Sequence, residues 1–290
     1  MLFLYPQSDK NDFCPVVAFF FNFYMERKLI LITNDDGYEA QGVNVLADLM
    51  APLGDVVMVA PEGARSGAAC SITPTRPINL YFIDERPGIR RYACTGTPVD
   101  CVKLAVERVC ERIPDLVVSG INHGDNASCS LHYSGTMGAV FEACMKSIPA
   151  IGFSLRTLSH QCDFSPYAPE IVRISQYVIK NGLPQDVCLN VNFPEVNQLA
   201  GTTICRMGRG RWIHEWAPAH NPRGFDAYWL TGEFSNLEPD SADTDYWALD
   251  HGYAAVTPIK LDMTDYESMK LFSGLSRSPG FSESSELSKL

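Results

Sequence analysis

The chain lacks the marks of several protein classes. No Cys-x-x-Cys pair occurs among its ten cysteines. Several of them, such as Cys101, Cys110 and Cys144, lie inside apolar runs, so the set reads as buried free thiols in a reducing, cytoplasmic compartment, not as a disulfide framework or a zinc site. The six histidines show no metal-ligand spacing either, which removes the other common route to zinc. No apolar run is long enough to cross a bilayer. Val16 to Tyr24 is strongly apolar and aromatic, but it falls short of the roughly 20 residues that a spanning helix needs, and it has no basic leader and no small-residue cleavage site. Internal repeats are absent. Basic residues are in deficit, with 23 Lys and Arg against 34 Asp and Glu for a net charge of -11. A field of that sign argues against a broad surface for nucleic-acid polymers or anionic membranes.

What is there is an ordinary globular composition over 290 residues, enough for one large domain with a substantial core. Met25-Glu26-Arg27-Lys28 leads into the first apolar strand, so residues 1–24 are expected to be a non-native or disordered leader, with a weak signal or anchor as the alternative. Residues 25–265 are expected to form a single domain. The tail, 266–290, has the Ser, Glu, Gly and Lys content of a partly disordered end.

The chain is organised around Leu29 to Ile32 and the Asn34-Asp35-Asp36-Gly37 that follows. A short continuous apolar run suits a strand buried on both faces of a parallel sheet. Polar residues at the carboxyl end of such a strand fall where open α/β sheets bind ligands. Two adjacent carboxylates repel unless a cation neutralises them. The same four residues are also good turn chemistry, and taken alone the two readings stand level.

Gln41 to Met50 has helical spacing and stops at Pro52 and Gly54. Val56 to Ala60 is a second strand, ending in the polar loop Pro61 to Gly67. Ile72 to Ile83 and Ile89 to Cys94 read as paired strands. Thr97, Pro98 and Asp100 carry the start signals of a helix running to about Arg112. Asp115 to Ser119 is a strand, followed by the polar loop Gly120 to Asn126, a helix beginning near Ser134-Gly135-Thr136, and a strand from Pro149 to Leu155. Pro169 to Asn181 reads as a helix, and Val187 to Phe193 and Tyr253 to Ile259 as strands. Thr203 to Gly232, rich in Arg, Gly, Trp and Pro, reads as extended excursions. Successive β-loop-α units with polar loops on one side describe a Rossmann-like, doubly wound, mostly parallel α/β sheet with a site at its carboxyl edge.

On these residues the chain resembles the survival protein E (SurE) family of metal-dependent nucleotidases. The matching stretches are Asn34 to Gly37, Ala60-Pro61 with Arg65 to Ala68, Gly96-Thr97-Pro98 with Asp100-Cys101, Val118 to Gly124 with Asn126, and Tyr133 to Thr136. Thr244-Asp245, Gly252-Tyr253 and Val256 to Pro258 complete the set. Each is weak alone; their order and spacing are specific. The resemblance implies one divalent metal per subunit, Mg²⁺ or Mn²⁺, on Asp35, Asp36, Ser66 and Asn122. It also implies hydrolysis of nucleoside 5'-monophosphates, with 3'-monophosphates and short polyphosphate as further substrates. A C-terminal extension exchanged between subunits, in a homodimer or homotetramer, comes with it. Ala69-Cys70 departs from the more polar residues usual after Ser-Gly-Ala.

The residues agree with that ligand set. Two carboxylates, a hydroxyl and an amide carbonyl form an all-oxygen group suited to hard cations. Asp35 and Asp36 are the catalytic candidates, either as ligands of a metal that activates water or as a carboxylate nucleophile. Asn126, Ser134, Gly135 and Thr136 are the phosphate-binding candidates, the last three at a helix N-terminus. For Ser134 the phosphate cradle is favoured over a cap role alone, whereas a loop cap for Ser66 and a turn role for Asn122 are the plainer readings of each taken without the other loops. His123 is a candidate acid for the leaving oxygen, kept outside the catalytic set because exposed loop histidines are usually passive. Arg206, Arg209 and Arg211 read as a solvated or subunit-contacting cluster. A metal-dependent glycosyltransferase and a non-catalytic nucleotide sensor are the alternatives from other classes.

Overall fold

The computed structural model describes residues 27–157, 159 and 161–276. The leader expected at 1–24, and the tail beyond 276, lie outside them. In chain order the strands of the main sheet are β1 (Leu29–Thr33), β2 (Asp55–Pro61), β3 (Leu80–Arg86), β4 (Ile89–Cys94), β5 (Leu116–His123), β6 (Ala150–Leu155), β7 (Val187–Phe193), β8 (Gly201–Ile204) and β13 (Tyr253–Lys260). They lie side by side as β3-β4-β2-β1-β5-β6-β7-β13-β8. From β4 to β7 all pairings are parallel. The edges are different: β3 is antiparallel to β4, and β13 is antiparallel to β7. Numbered among themselves, the six parallel strands run third, second, first, fourth, fifth, sixth, which is the doubly wound order of dinucleotide-binding sheets. The order reverses between β1 and β5, and it is there that such folds open a crevice beyond the strand ends.

Alternation along β1 sends its side chains to both faces of the sheet. Ile30 and Ile32 join Val43, Leu46 and Met50 of α1 (Gln41–Met50), with Ile171, Ile174 and Val178 of α4 (Ala168–Asn181). Leu29 and Leu31 join Cys101 and Val102 of α2 (Pro98–Leu104), with Met137, Val140 and Ala143 of α3 (Gly135–Met145). Every residue of β1 is buried. At about 1.5–3 kcal/mol for each fully buried large aliphatic side chain, this strand anchors the sheet.

Three boundaries differ from the sequence reading. Residues 72–79 are not strand. Pro74 and Pro77 remove ladder donors there, and the segment is tied instead by Thr73 N–H to Asp100 and Asn79 N–H to the Thr95 hydroxyl. The helix expected to reach Arg112 passes into a π-helical turn, Ala105–Val109, and stops where Cys110 N–H reaches back to Ala105 O at 2.8 Å. Its start is as read, with Thr97 and Asp100 forming a reciprocal capping box. Finally, β5 continues through the expected loop: Asn122 pairs with Ser154 and His123 with Leu155, after an irregularity between Ser119 and Asn122. Asn122 is thus held by a strand end, not by a mobile turn.

Beyond β8 the chain makes the excursion, β9 (Gly210–Ile213), β10 (Trp216–Ala219), β11 (Ala227–Leu230) and β12 (Glu233–Asn236), as two separate antiparallel pairs, β12 with β9 and β10 with β11. The short α5 (Asp245–Asp250) returns it to β13. Ser268–Leu275, placed in the tail by composition, is an exposed 3-10 helix.

Candidate active site

The turn after β1 and the acidic pair are not competing readings; they use different side chains. Asn34, fully buried, closes the turn on itself: its Oδ1 accepts from Gly37 N–H at 3.2 Å and its Nδ2 donates to Gly37 O at 2.9 Å. Gly37 takes φ +104°, a left-handed conformation that glycine adopts without strain. With Asn34 bent back, Asp35 and Asp36 stand beyond the strand. The loop after β2 is pinned against them by Arg65 N–H to Asp35 O at 2.6 Å and Tyr38 N–H to Pro61 O at 2.9 Å.

Asp35 is only 5 % exposed. Burial, with repulsion from Asp36 adding to it, pushes its carboxyl up to about 6, although the Thr136 hydroxyl donates to Oδ1 at 2.6 Å and pulls the other way. Among the described residues no Lys or Arg pairs with either aspartate, and no group of three or more His, Cys, Asp or Glu side chains is placed to hold a metal. The site therefore offers two carboxylates and must complete any ligand set with neutral oxygens. Asn122 is arranged for that: its Nδ2 donates to Gly124 O at 2.8 Å and His123 O at 3.3 Å, which leaves Oδ1 outside those bonds. A divalent ion would relieve the cost of two close carboxylates, one of them buried, so the donor set fits a hard cation.

Asp35, Ser66, Asn122, Asn126 and Ser134 open into one cavity of about 1130 Å³. Asp36 is joined to it through His123, whose Nδ1 lies 3.3 Å from Asp36 Oδ2. Ser134 caps α3, accepting from Met137 N–H at 3.0 Å, and also lines the cavity. Gly135 packs so close to Asp35 that a Cβ would fall 2.8 Å from the Asp35 Cβ. Thr136 is fully buried with its hydroxyl spent on Asp35. Asn126 is fixed by a buried amide network, its N–H to Asn192 Oδ1 and its Nδ2 to the Ser154 hydroxyl, both at 2.8 Å. Arg206 pairs with Glu238 and Asp243 and does not line the cavity.

The far wall of the cavity was missed in the sequence: Arg156, Glu195, Trp212, Trp216 and Tyr246. Arg156 follows β6 and Glu195 lies just past β7, so the strand-end rule that found Asp35 would have found both. Arg156 binds Asp125 at 3.1 Å and Asp250 at 2.6 Å, and its guanidinium lies over the Tyr246 ring, 4.5 Å from the centroid. Phe234 stacks on the other face of Tyr246 at 3.9 Å, which joins the excursion to the cavity.

The doubly wound α/β sheet, with an oxygen-rich acidic cluster at its switch point and a cavity beside it, defines a Rossmann-like protein whose candidate site lies at the carboxyl edge of the sheet. The family model for "Survival protein SurE" matches residues 30–214. The 5'-nucleotidase SurE of Phocaeicola vulgatus is 51% identical over 244 residues, covering 84% of this chain and 95% of that protein. The 5'-nucleotidase SurE of Bacteroides fragilis is 46% identical over 84% of this chain and 96% of its own length. The crystal structure of the SurE protein from Aquifex aeolicus superimposes with a TM-score of 0.74 at 36% identity, covering 85% of this chain and 99% of that one. The chain belongs to the SurE family.

Proposed function

We propose that this protein hydrolyses the phosphomonoester of nucleoside 5'-monophosphates at the Asp35–Asp36 cluster, using one divalent metal ion held by Asp35, Asp36, Ser66 and Asn122. The observation that carries the reading is the acidic pair at the switch point of the sheet, opening into a cavity large enough for a nucleotide. The 5'-nucleotidase activity itself comes with the family, whose curated relatives bear that name at 44–51% identity.

When bound, the ion supplies electrostatic stabilisation for the charge that develops on the phosphoryl oxygens; Mg²⁺ or Mn²⁺ suits the oxygen ligands. The chain's own residues do the rest. Thr136 holds the Asp35 carboxylate in one orientation by its hydroxyl. Ser134, Gly135 and Thr136 stand at the start of α3, the end of a helix at which an anion is favoured, with Ser134 on the cavity wall. Asn126, fixed by Asn192 and Ser154, offers its remaining side-chain acceptor and a rigid wall. The aromatic and Arg156-lined end of the cavity receives the nucleoside and screens the reaction from water. The same phosphate subsite accommodates 3'-monophosphates and short polyphosphate. We place the enzyme in the cytoplasm, as a single domain over 25–265 that associates as a homodimer or homotetramer through the excursion.

A phosphate-release screen over the nucleoside monophosphates, with Mg²⁺, Mn²⁺ and chelator, tests this reading. Metal-dependent release from 5'-monophosphates is expected; full activity in chelator would sink it.

A further inference from the structure

His123 is neither exposed nor in a loop. It ends β5, its side chain is 9% exposed, and it packs edge-on against Phe164 with ring centroids 5.8 Å apart. Two donors of this one residue converge on a single atom. The backbone N–H lies 3.4 Å from Asp36 Oδ2 and the ring Nδ1 lies 3.3 Å from the same oxygen. On the other side of the ring, Nε2 lies 3.6 Å from Cys162 Sγ. A ring with its proton on Nδ1 donates to Asp36 and accepts from the Cys162 thiol, so both nitrogens are used in one consistent pattern. The ring is thus tied to Asp36 on one side and to Cys162 on the other.

We propose that His123 is a positioning residue for the metal site, fixing the rotamer of Asp36 by holding Oδ2 so that Oδ1 is presented to the cation. The inference rests on the metal reading above. Its physical basis is the repulsion between neighbouring carboxylates: Asp35 is buried and bonded to the Thr136 hydroxyl, whereas Asp36 is 21% exposed and, unheld, would turn its charge towards solvent. A ligand that must first be ordered binds its metal more weakly, and hydrogen-bond partners of metal ligands commonly govern about 10–100-fold in affinity.

The test is calorimetric titration of Mn²⁺ into the metal-free full chain and its variants. His123→Leu keeps the bulk against Phe164 without the ring donor, and His123→Asn restores an N–H near the position of Nδ1. The expected result is a loss of about 10–100-fold in Mn²⁺ affinity for His123→Leu, most of it recovered in His123→Asn, with metal-free thermal unfolding of the Asn variant near wild type and nucleotide KM at saturating Mn²⁺ little changed. Wild-type affinity in His123→Leu overturns the proposal, and so does equal impairment in both variants, which would mean that the ring acts by shape. Nitrogen NMR of the wild-type ring needs no variant: a protonated, hydrogen-bonded Nδ1 is expected, and a bare Nδ1 overturns the assignment. Asp36→Asn separates this inference from the one beneath it, because unchanged Mn²⁺ affinity there removes the metal site itself.

Discussion

The parallel half of the sheet and the antiparallel excursion solve opposite problems. Around β1 and β5 the chain buries its backbone on both faces and then brings two carboxylates and an asparagine out at the strand ends. In β9 to β12 it builds two-stranded ladders with large aromatic side chains in solvent, Trp216 being 65% and Trp229 70% exposed. Isolated two-stranded ladders are marginal in water. The difference teaches where each task can be placed: the charged groups sit on a rigid scaffold, while one wall of the cavity, with Trp212, Trp216 and Leu230, sits on ladders that leave large aromatic side chains exposed.

The largest effect is expected at the rigid half. Asp35→Asn or Asp36→Asn keeps the shape and removes half of the neutralising charge, and kcat/KM should fall by about a thousandfold or more, in line with loss of a principal electrostatic group. Steady-state kinetics at saturating metal measures it, and near-wild-type turnover in either variant would show that the acidic pair is not the catalytic cluster.

Next in size is Thr136→Val. A hydroxyl bonded to a carboxylate contributes about 1.5–3 kcal/mol, so kcat/KM should drop roughly ten- to a hundredfold. Because that hydroxyl faces Asp35 and not the cavity, the loss should appear with weaker metal binding and not as a pure rise in nucleotide KM. A KM-only effect would return Thr136 to the phosphate.

A pH titration sharpens the contrast further. In the metal-free protein the folded Asp35 carboxyl sits at about 6, raised from 3.8 by burial first and by Asp36 in addition. Its folded value lies above the unfolded one, so the folded chain holds the proton more tightly, and this group's contribution to stability falls as pH rises from about 4 to 6. Metal binding needs the carboxylate, and its affinity should weaken by about tenfold per unit below pH 6. Metal-free Tm should therefore gain from acidification between pH 7 and 5 in wild type and lose that gain in Asp35→Asn; identical profiles would contradict the assignment.

The smallest effect on chemistry is expected from the excursion. Trp229→Ser, on an exposed ladder, should leave the stability of the parallel core unchanged while shifting the size distribution towards smaller species in light scattering at micromolar concentration. A wild-type particle that is already monomeric there would break the comparison from the other side.

Much of the site was legible because its residues are neighbours in sequence or belong to motifs with local causes. Asn34 to Gly37 follows an apolar run, Thr97 to Asp100 is a capping box, and Ser134 is a helix cap. The limits of β1, α1 and β7 were readable for the same reason, since a period of 3.6 or a continuous apolar run is a local property. The 72–79 segment was misread because its apolar content outweighed two prolines, and the end of β5 because Gly-Ile-Asn-His-Gly looks like a loop until β6 supplies partners.

By itself the sequence determined the doubly wound class, the strand ends that carry chemistry and the candidate ligands, since each follows from hydrophobic period, turn residues and motif order. Only the tertiary structure decided what the candidates do to one another. The bond from Thr136 to Asp35 spans about a hundred residues, and that from His123 to Asp36 spans 87. Arg156, Glu195 and Tyr246 meet Asp35 around one cavity although they lie in different segments. The physical reason is that burial, the raised Asp35 carboxyl and the choice of hydrogen-bond partner are properties of packed space, and no local pattern in the chain encodes which distant donor will fill it.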